Sequence, residues 1–160
     1  DFAAYRYPYG DYDETDNSEL LFQLPSIDPR RPPKERVLGI PTRSTSGGGG
    51  IAFPFGELNA LGSVGAAHET VGGRPVVVFW DGLRQGAMAF YPNAESQGLS
   101  FETSKETIVD LETGSTWTIE GLAVDGPLVG THLEPVAEAY VAFWFAWAAF
   151  HATTQLWEAR

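Results

Sequence analysis

Four side chains have types and spacings that could support acid–base chemistry: His68, Asp81, Asp110 and Glu112. His68 stands next to Glu69, so an imidazole base with an orienting carboxylate can be drawn there. A histidine in a turn accounts for the same pair. Asp110 and Glu112 are two apart, which would place both acids on one face of a strand. Such a pair could hold a cation or act as acid and base. A strand-end acid and a turn acid that merely accept backbone N–H groups would look the same. Asp110-x-Glu112-x-Gly114 superficially matches a calcium loop, but the remaining ligands and the distal glutamate are missing. The other histidines have ordinary explanations. His132 lies beside Glu134 across a strand alternation, and His151 falls at a helix C-terminus, where positive charge is favourable. No two histidines have the spacing of a helical zinc pair. There is no Gly-x-Ser-x-Gly elbow, and Ser115 has no identifiable base. The expectation is therefore no catalytic residue, no cofactor and no metal ligand. His68, Asp81, Asp110 and Glu112 stand as an alternative ligand site.

Composition narrows the chemistry further. The chain has no cysteine, which removes disulfides, thiolate catalysis and cysteine-held metals. Its formal charge is −11, and its one basic cluster is Arg30, Arg31, Lys34 and Arg36. Nucleic-acid binding needs a broad basic footprint, so no nucleic-acid partner is expected. No apolar run approaches the ~20 residues of a membrane-spanning helix. Membrane contact is then expected only peripherally. The Ser/Gly run Thr42 to Gly50, which ends in four glycines, leads into Ile51-Ala52-Phe53-Pro54-Phe55, which alternates like a strand. A phosphate-binding loop would lead into a helix, so a hairpin connection is the better reading.

The elements that must carry these residues are mostly strands. Ile108 to Pro135 states this most clearly. Ile108-Val109 and Trp117-Thr118-Ile119 favour a pleated surface, and Thr113-Gly114 between them reads as a hairpin tip. Asp125-Gly126-Pro127 signals a second turn, and Gly130 a third or a bulge. Val76-Val77-Val78-Phe79-Trp80 is apolar at every position, as in a central strand buried on both faces. Gly72-Gly73 turns the chain before it, Asp81-Gly82 turns it after, and Ala87 to Tyr91 returns as a strand. A short helix is expected through Leu58-Asn59-Ala60-Leu61. After Pro135 the pattern changes. Val136 to Ala152 is rich in alanine and aromatics and carries Glu138 near its front, which predicts a helix that is apolar on several sides. Thr153 to Trp157 reads as a final strand or tail. The fold class is α+β and mainly β: an antiparallel, hairpin-rich sheet or partly open barrel with one apolar C-terminal helix.

Three ordered pieces carry a family resemblance. The first is Asp110-x-Glu112-Thr113-Gly114-Ser115-x-Trp117 followed by Gly121-x-Ala123-x-x-Gly126-x-Leu128-x-Gly130-x-x-Leu133. The second is Thr70-Val71-Gly72-Gly73-Arg74-Pro75-Val76-Val77-Val78. The third is the Trp- and Phe-rich segment before Thr154. Together they span roughly Arg36 to Trp157, and the chain resembles the domain-of-unknown-function 3179 (DUF3179) family. The resemblance implies a mainly β domain, usually outside the cytoplasm, with no established activity. Many relatives have Cys-Pro-x-Cys where this chain has Asp81-Gly82-Leu83-Arg84. Relatives also often have a Trp-His pair where this chain has Gly62-Ser63-Val64-Gly65. Metal or thiol chemistry at those places does not carry over.

Residues 1–35 read as an extended, acidic, aromatic and Pro-rich N-terminal arm, and 36–160 as a single mainly β domain. Tyr5, Tyr7, Tyr9 and Tyr12 punctuate the arm, the first three on one face of an extended segment. Asp1 in place of a methionine reads as a processed or trimmed start. Trp144 and Trp147 sit in the apolar helix, which either packs mostly within the core of this domain or is covered in part by another chain or by membrane. The leading expectation is a non-catalytic structural or interaction subunit of an extracytoplasmic assembly, in the periplasm or at the cell surface. It would dock on other protein subunits through the tyrosines and the helix. The alternatives are a small-ligand-binding protein or enzyme near Asp110 and His68, and a carbohydrate- or peptide-binding module using Tyr91 or Trp80.

Overall fold

A computed structural model describes residues 27–42, 49–92 and 98–160. Tyr5, Tyr7, Tyr9 and Tyr12 lie outside the described residues. The chain runs β1 (Arg36–Thr42), β2 (Gly49–Pro54), α1 (Phe55–Leu58) and a 3-10 turn (Asn59–Leu61). It continues through β3 (Val64–Val71), β4 (Arg74–Asp81), β5 (Gly86–Tyr91), β6 (Phe101–Ser104), β7 (Thr107–Asp110), β8 (Thr116–Trp117) and β9 (Ala123–Asp125). Last come β10 (Glu134–Pro135), β11 (Tyr140–Phe143), α2 (Trp144–Phe150) and β12 (Gln155–Leu156).

Among the described residues the strands form three four-stranded sheets, ordered β11-β1-β2-β12, β10-β5-β4-β3 and β6-β7-β8-β9. The pairing is antiparallel except where β12 runs parallel to β2. No sheet closes into a barrel among these residues. The sheets are layers instead, and the alternation of β4 shows why. Val76, Val78 and Trp80 pack with Leu38, Ile40 and Phe53 of the first sheet. Val77 and Phe79 pack the other way, with Phe101, Ile108 and Trp117 of the third. A strand between two cores must be apolar at every position, which is what β4 is. The turn into it, Gly72-Gly73, has φ of 58° and 80°, positive at both central residues, as a two-residue hairpin turn requires.

The C-terminal segment departs from the sequence expectation. In place of one helix over Val136 to Ala152, Tyr140–Phe143 forms β11 and only Trp144–Phe150 is helical. The edge of β1 takes β11 as a partner, with Gly39 opposite Tyr140 and Arg36 opposite Phe143. Tyr140, Val141 and Phe143 suit a pleated surface, so local preference and the ladder together outweigh the alanine content. The short helix then lies on the outer face of the first sheet, with Trp144, Trp147 and Ala148 against Val37 and Ala52. Gly39 makes room for it. A Cβ there would lie 2.3 Å from two atoms of the Trp147 ring.

The connection before β1 caps this helix. Trp144 N–H donates to Glu35 O and Phe145 N–H to Pro33 O, at 2.8 and 2.9 Å. These backbone carbonyls satisfy first-turn donors that no side chain caps. Arg31 pairs with Glu35 and Glu57, and Glu35 also accepts Gly56 N–H. Arg30 pairs with Asp28 and donates to Thr154 O at 3.1 Å. Much of the basic cluster is thus engaged locally, binding the connection to α1 and to the C-terminal segment.

Candidate functional site

Asp110 is fully buried at the end of β7. Its carboxylate accepts Trp117 Nε1–H at 2.9 Å, Thr113 N–H at 2.6 Å and the Thr113 hydroxyl at 2.7 Å. Thr113 Oγ1 also meets the buried Ser115 hydroxyl at 2.7 Å, and that hydroxyl accepts Leu128 N–H at 3.0 Å. Burial alone would raise the Asp110 pKa. The Trp117 and Thr113 hydrogen bonds outweigh it and hold the group below its ordinary value. Acid, hydroxyls and indole therefore form one closed lattice beneath the hairpin. Among the described residues, the hydrogen bonds to the Asp110 carboxylate all come from its own hairpin.

Glu112 does not share a strand face with Asp110. The strand ends at Asp110, and Glu112 falls in the following turn. It accepts Ser100 N–H at 2.8 Å, which lowers its pKa. His68 lies nearby, in the middle of β3 and not in a turn. Its Nε2 accepts Phe101 N–H at 3.1 Å, and its ring stacks on the Phe101 ring with centroids 6.0 Å apart. Accepting at Nε2 requires a neutral ring protonated at Nδ1. Desolvation pushes the imidazole below its ordinary value, while the charges of Glu112 and Glu102 pull the other way. His68 and Glu112 thus pin adjacent residues of one segment, Ser100 and Phe101.

That segment borders a cleft of about 710 Å³. Its walls include Ala66 to Thr70 of β3, Gly98 to Phe101, Leu61, Trp157 and Arg160. No local pattern announces this cleft, because separated segments build it, Pro75 to Val77 of β4 and Pro92 among them. Among the four proposed site residues, His68 lines it, and Glu112 reaches it only through its bond to the lining residue Ser100. Asp110 faces into the hairpin. Asp81 lies at the far end of the β3–β4 pair, opposite Val64, and accepts Arg84 N–H at 3.1 Å. It lines a separate, smaller hollow with Arg84, Glu106 and Glu120.

The aromatic candidates are placed differently from the sequence expectation. Trp144 and Trp147 are both 0% exposed. Their indole N–H groups donate to Asp28 O at 3.0 Å and to Thr154 Oγ1 at 2.8 Å. The outer residues of this region are Phe150, Tyr140 and Val141. Trp80 is also fully buried, edge-on to Phe55, so it offers no exposed platform. The periodicity of β4 could have placed it in the core. Tyr91 is half-buried beneath the Arg74 guanidinium, 3.5 Å from its ring centroid.

Among the described residues no three His, Asp or Glu side chains are grouped to hold a metal ion. No described helix is long and apolar enough to cross a membrane. No curated protein and no solved structure matches the chain significantly. A family model does match, over residues 3–154, and its description reads "Protein of unknown function (DUF3179)". The match spans most of the chain, and the chain belongs to the DUF3179 family.

Proposed function

We propose that this chain is a non-catalytic structural or interaction subunit of an extracytoplasmic protein assembly. One observation carries the reading. The side chains with chemical potential are spent on the fold: Asp110 on Trp117 and Thr113, Glu112 on Ser100, His68 on Phe101 and Asp81 on Arg84. A catalytic acid or base needs a lone pair or proton directed at a reacting group. The extracytoplasmic location follows the family resemblance. With Trp144 and Trp147 turned inward, the docking contribution of the C-terminal region falls to Phe150, Tyr140 and Val141, joined by the tyrosines of the arm. Phe150 is 78% exposed on a helix that is otherwise apolar. Burying an exposed phenylalanine against another subunit contributes on the order of 2 kcal/mol.

The test is the native mass of the protein in gently solubilised material from its source cells. Migration well above its own 17.4 kDa, with defined co-migrating proteins, is the expected result. Migration as a free monomer would overturn it. The cleft beside His68 favours a second reading, a small-ligand-binding protein, because its volume lies within the range of about 300–1,000 Å³ typical of ligand sites.

A further inference from the structure

The first sheet ends in an edge that is open and undefended. β11 is its terminal strand, hydrogen-bonded to β1 alone among the described residues. In an antiparallel pair, successive residues turn their N–H and C=O groups alternately towards and away from the partner. Trp144 N–H donates to Glu35 O, so Ala142 and Tyr140 follow it in turning towards β1, opposite Val37 and Gly39. Phe143, Val141 and Ala139 turn outwards. Pro54 agrees with this phase. It lies opposite Val37 in the β1–β2 pair and has no N–H to exchange, so Val37 spends its groups on the β11 side.

Part of the outward set is already spent. Ala139 N–H donates to Val136 O, and Phe143 O, at the N-cap of α2, accepts the first N–H of the helix. Ala139 O, Val141 N–H, Val141 O and Phe143 N–H remain, and none has a partner among the described residues. Tyr140 and Val141 are 42% and 46% exposed. Edge strands are normally protected by a charge, a proline or a bulge. Tyr140-Val141-Ala142-Phe143 has none of these.

The free groups are complementary to themselves. Set against an antiparallel copy with Val141 opposite Val141, each Val141 N–H would meet the other Val141 O, and each Phe143 N–H the other Ala139 O. The groups left facing each other, Ala139 N–H and Phe143 O, are the two already satisfied within their own chain. Centring the pair on Tyr140 or Ala142 instead halves the bonds that can form. Side chains match in the same register. Tyr140 falls opposite Ala142 and Phe143 opposite Ala139, a large residue against a small one each time, and the two valines meet on the axis.

We propose that the chain forms a two-fold dimer through this edge, with β11 pairing antiparallel to β11 of a second copy and joining the two first sheets. Such an interface is isologous and closes on itself. Each copy carries −11, but no charge stands within Tyr140–Phe143, and repulsion between exposed charges is screened over about 8 Å at physiological ionic strength. The inference rests on the interaction-subunit reading in taking Tyr140 and Val141 as docking residues, and goes further by naming their partner.

The experiment is sedimentation equilibrium of the purified full chain at sub-millimolar concentration, together with Val141→Lys and two single-cysteine variants. Expected are a monomer–dimer equilibrium for the unaltered chain and monomer alone for Val141→Lys, which sets like charges opposite each other on the axis. The chain has no cysteine of its own. Val141→Cys, a change that nearly keeps the volume, should therefore oxidise to a disulfide-linked dimer, because Cα atoms of a hydrogen-bonded pair lie about 5.5 Å apart, within disulfide reach. Val124→Cys, at a position 48% exposed, should remain monomeric. A monomeric unaltered chain overturns the inference. So does a dimer that survives Val141→Lys, or cross-linking of Val124→Cys as fast as Val141→Cys. The assembly reading fails separately, on the native mass and the co-migrating proteins in source material.

Discussion

Trp117 and Asp110 face each other across the hairpin, the buried indole Nε1–H donating to the buried carboxylate at 2.9 Å. Thr113 supplies two more donors to the same group. Asp110→Asn would keep the shape but replace an acceptor-only carboxylate by an amide that points two hydrogens at existing donors. The loss of charge-assisted bonds and the orphaned donors should cost about 2–3 kcal/mol. Trp117→Phe removes one donor and some volume. Urea unfolding of both single variants and the double variant should show the two changes to be less than additive. Strict additivity would mean that the lattice is not a coupled unit.

This lattice also shows how much was legible in the sequence. The hairpin tip at Thr113-Gly114 was readable because turn chemistry is local. So was the burial of β4, because it is apolar at every position. The pairing of Asp110 with Trp117, and not with Glu112, was not readable from spacing, because it depends on where the strand ends. The cleft was invisible for a different reason. Its walls come from residues near 61, 68, 76, 92, 100 and 157, and nothing in any one segment refers to the others. The C-terminal helix was overextended because alanine content favours helix locally. The competing edge of β1 is about a hundred residues away in the chain, a distance that pattern reading does not cross.

Stability should fall on acidification in two stages. His68 titrates below its ordinary 6.5 in the folded chain, chiefly because burial disfavours the imidazolium. The unfolded chain therefore binds the proton first. The His68 contribution is fully present above about 6.5 and is lost as pH falls from there towards the folded value. Asp110 is also lowered, so its contribution is present above about pH 4 and is lost as pH falls through its folded value. Equilibrium unfolding from pH 8 to pH 3 should show both declines. His68→Gln keeps an acceptor for Phe101 N–H and removes the titration, so it should abolish the upper stage alone. An unchanged upper stage in that variant would assign it to another group.

The inward tryptophans and the outward phenylalanine of α2 should separate by readout. Trp147 is stacked on His151 with centroids 3.7 Å apart and bonded to Thr154. Trp147→Ala should destabilise the isolated chain by about 3–5 kcal/mol. Phe150→Ser changes a side chain with few neighbours and should shift stability by less than about 0.5 kcal/mol. If the outer face of this region docks on another subunit, the Phe150 variant should still lower the yield of the native complex. Full recovery of the complex with Phe150→Ser would remove this face from the docking surface.

The approach of Gly39 to Trp147 makes the most restrictive prediction. Any Cβ at position 39 would sit 2.3 Å from Cε3 and Cζ3 of the indole, well inside contact distance. The ring has nowhere to retreat. Its other face carries His151, its N–H is held by Thr154, and Tyr140 lies at 5.3 Å. Relief must come from lifting α2 off the first sheet, so Gly39→Ala should cost about 1–3 kcal/mol or more through overpacking. Trp147→Leu alone leaves a cavity and is costly for the opposite reason. Combining the two places a methyl group where indole carbons were, so the double variant should be more stable than the sum of the single losses implies. A coupling energy on the order of 1 kcal/mol or more in that direction, measured by urea unfolding, is the expected result. Simple additivity would mean that the glycine serves its own backbone and not the tryptophan.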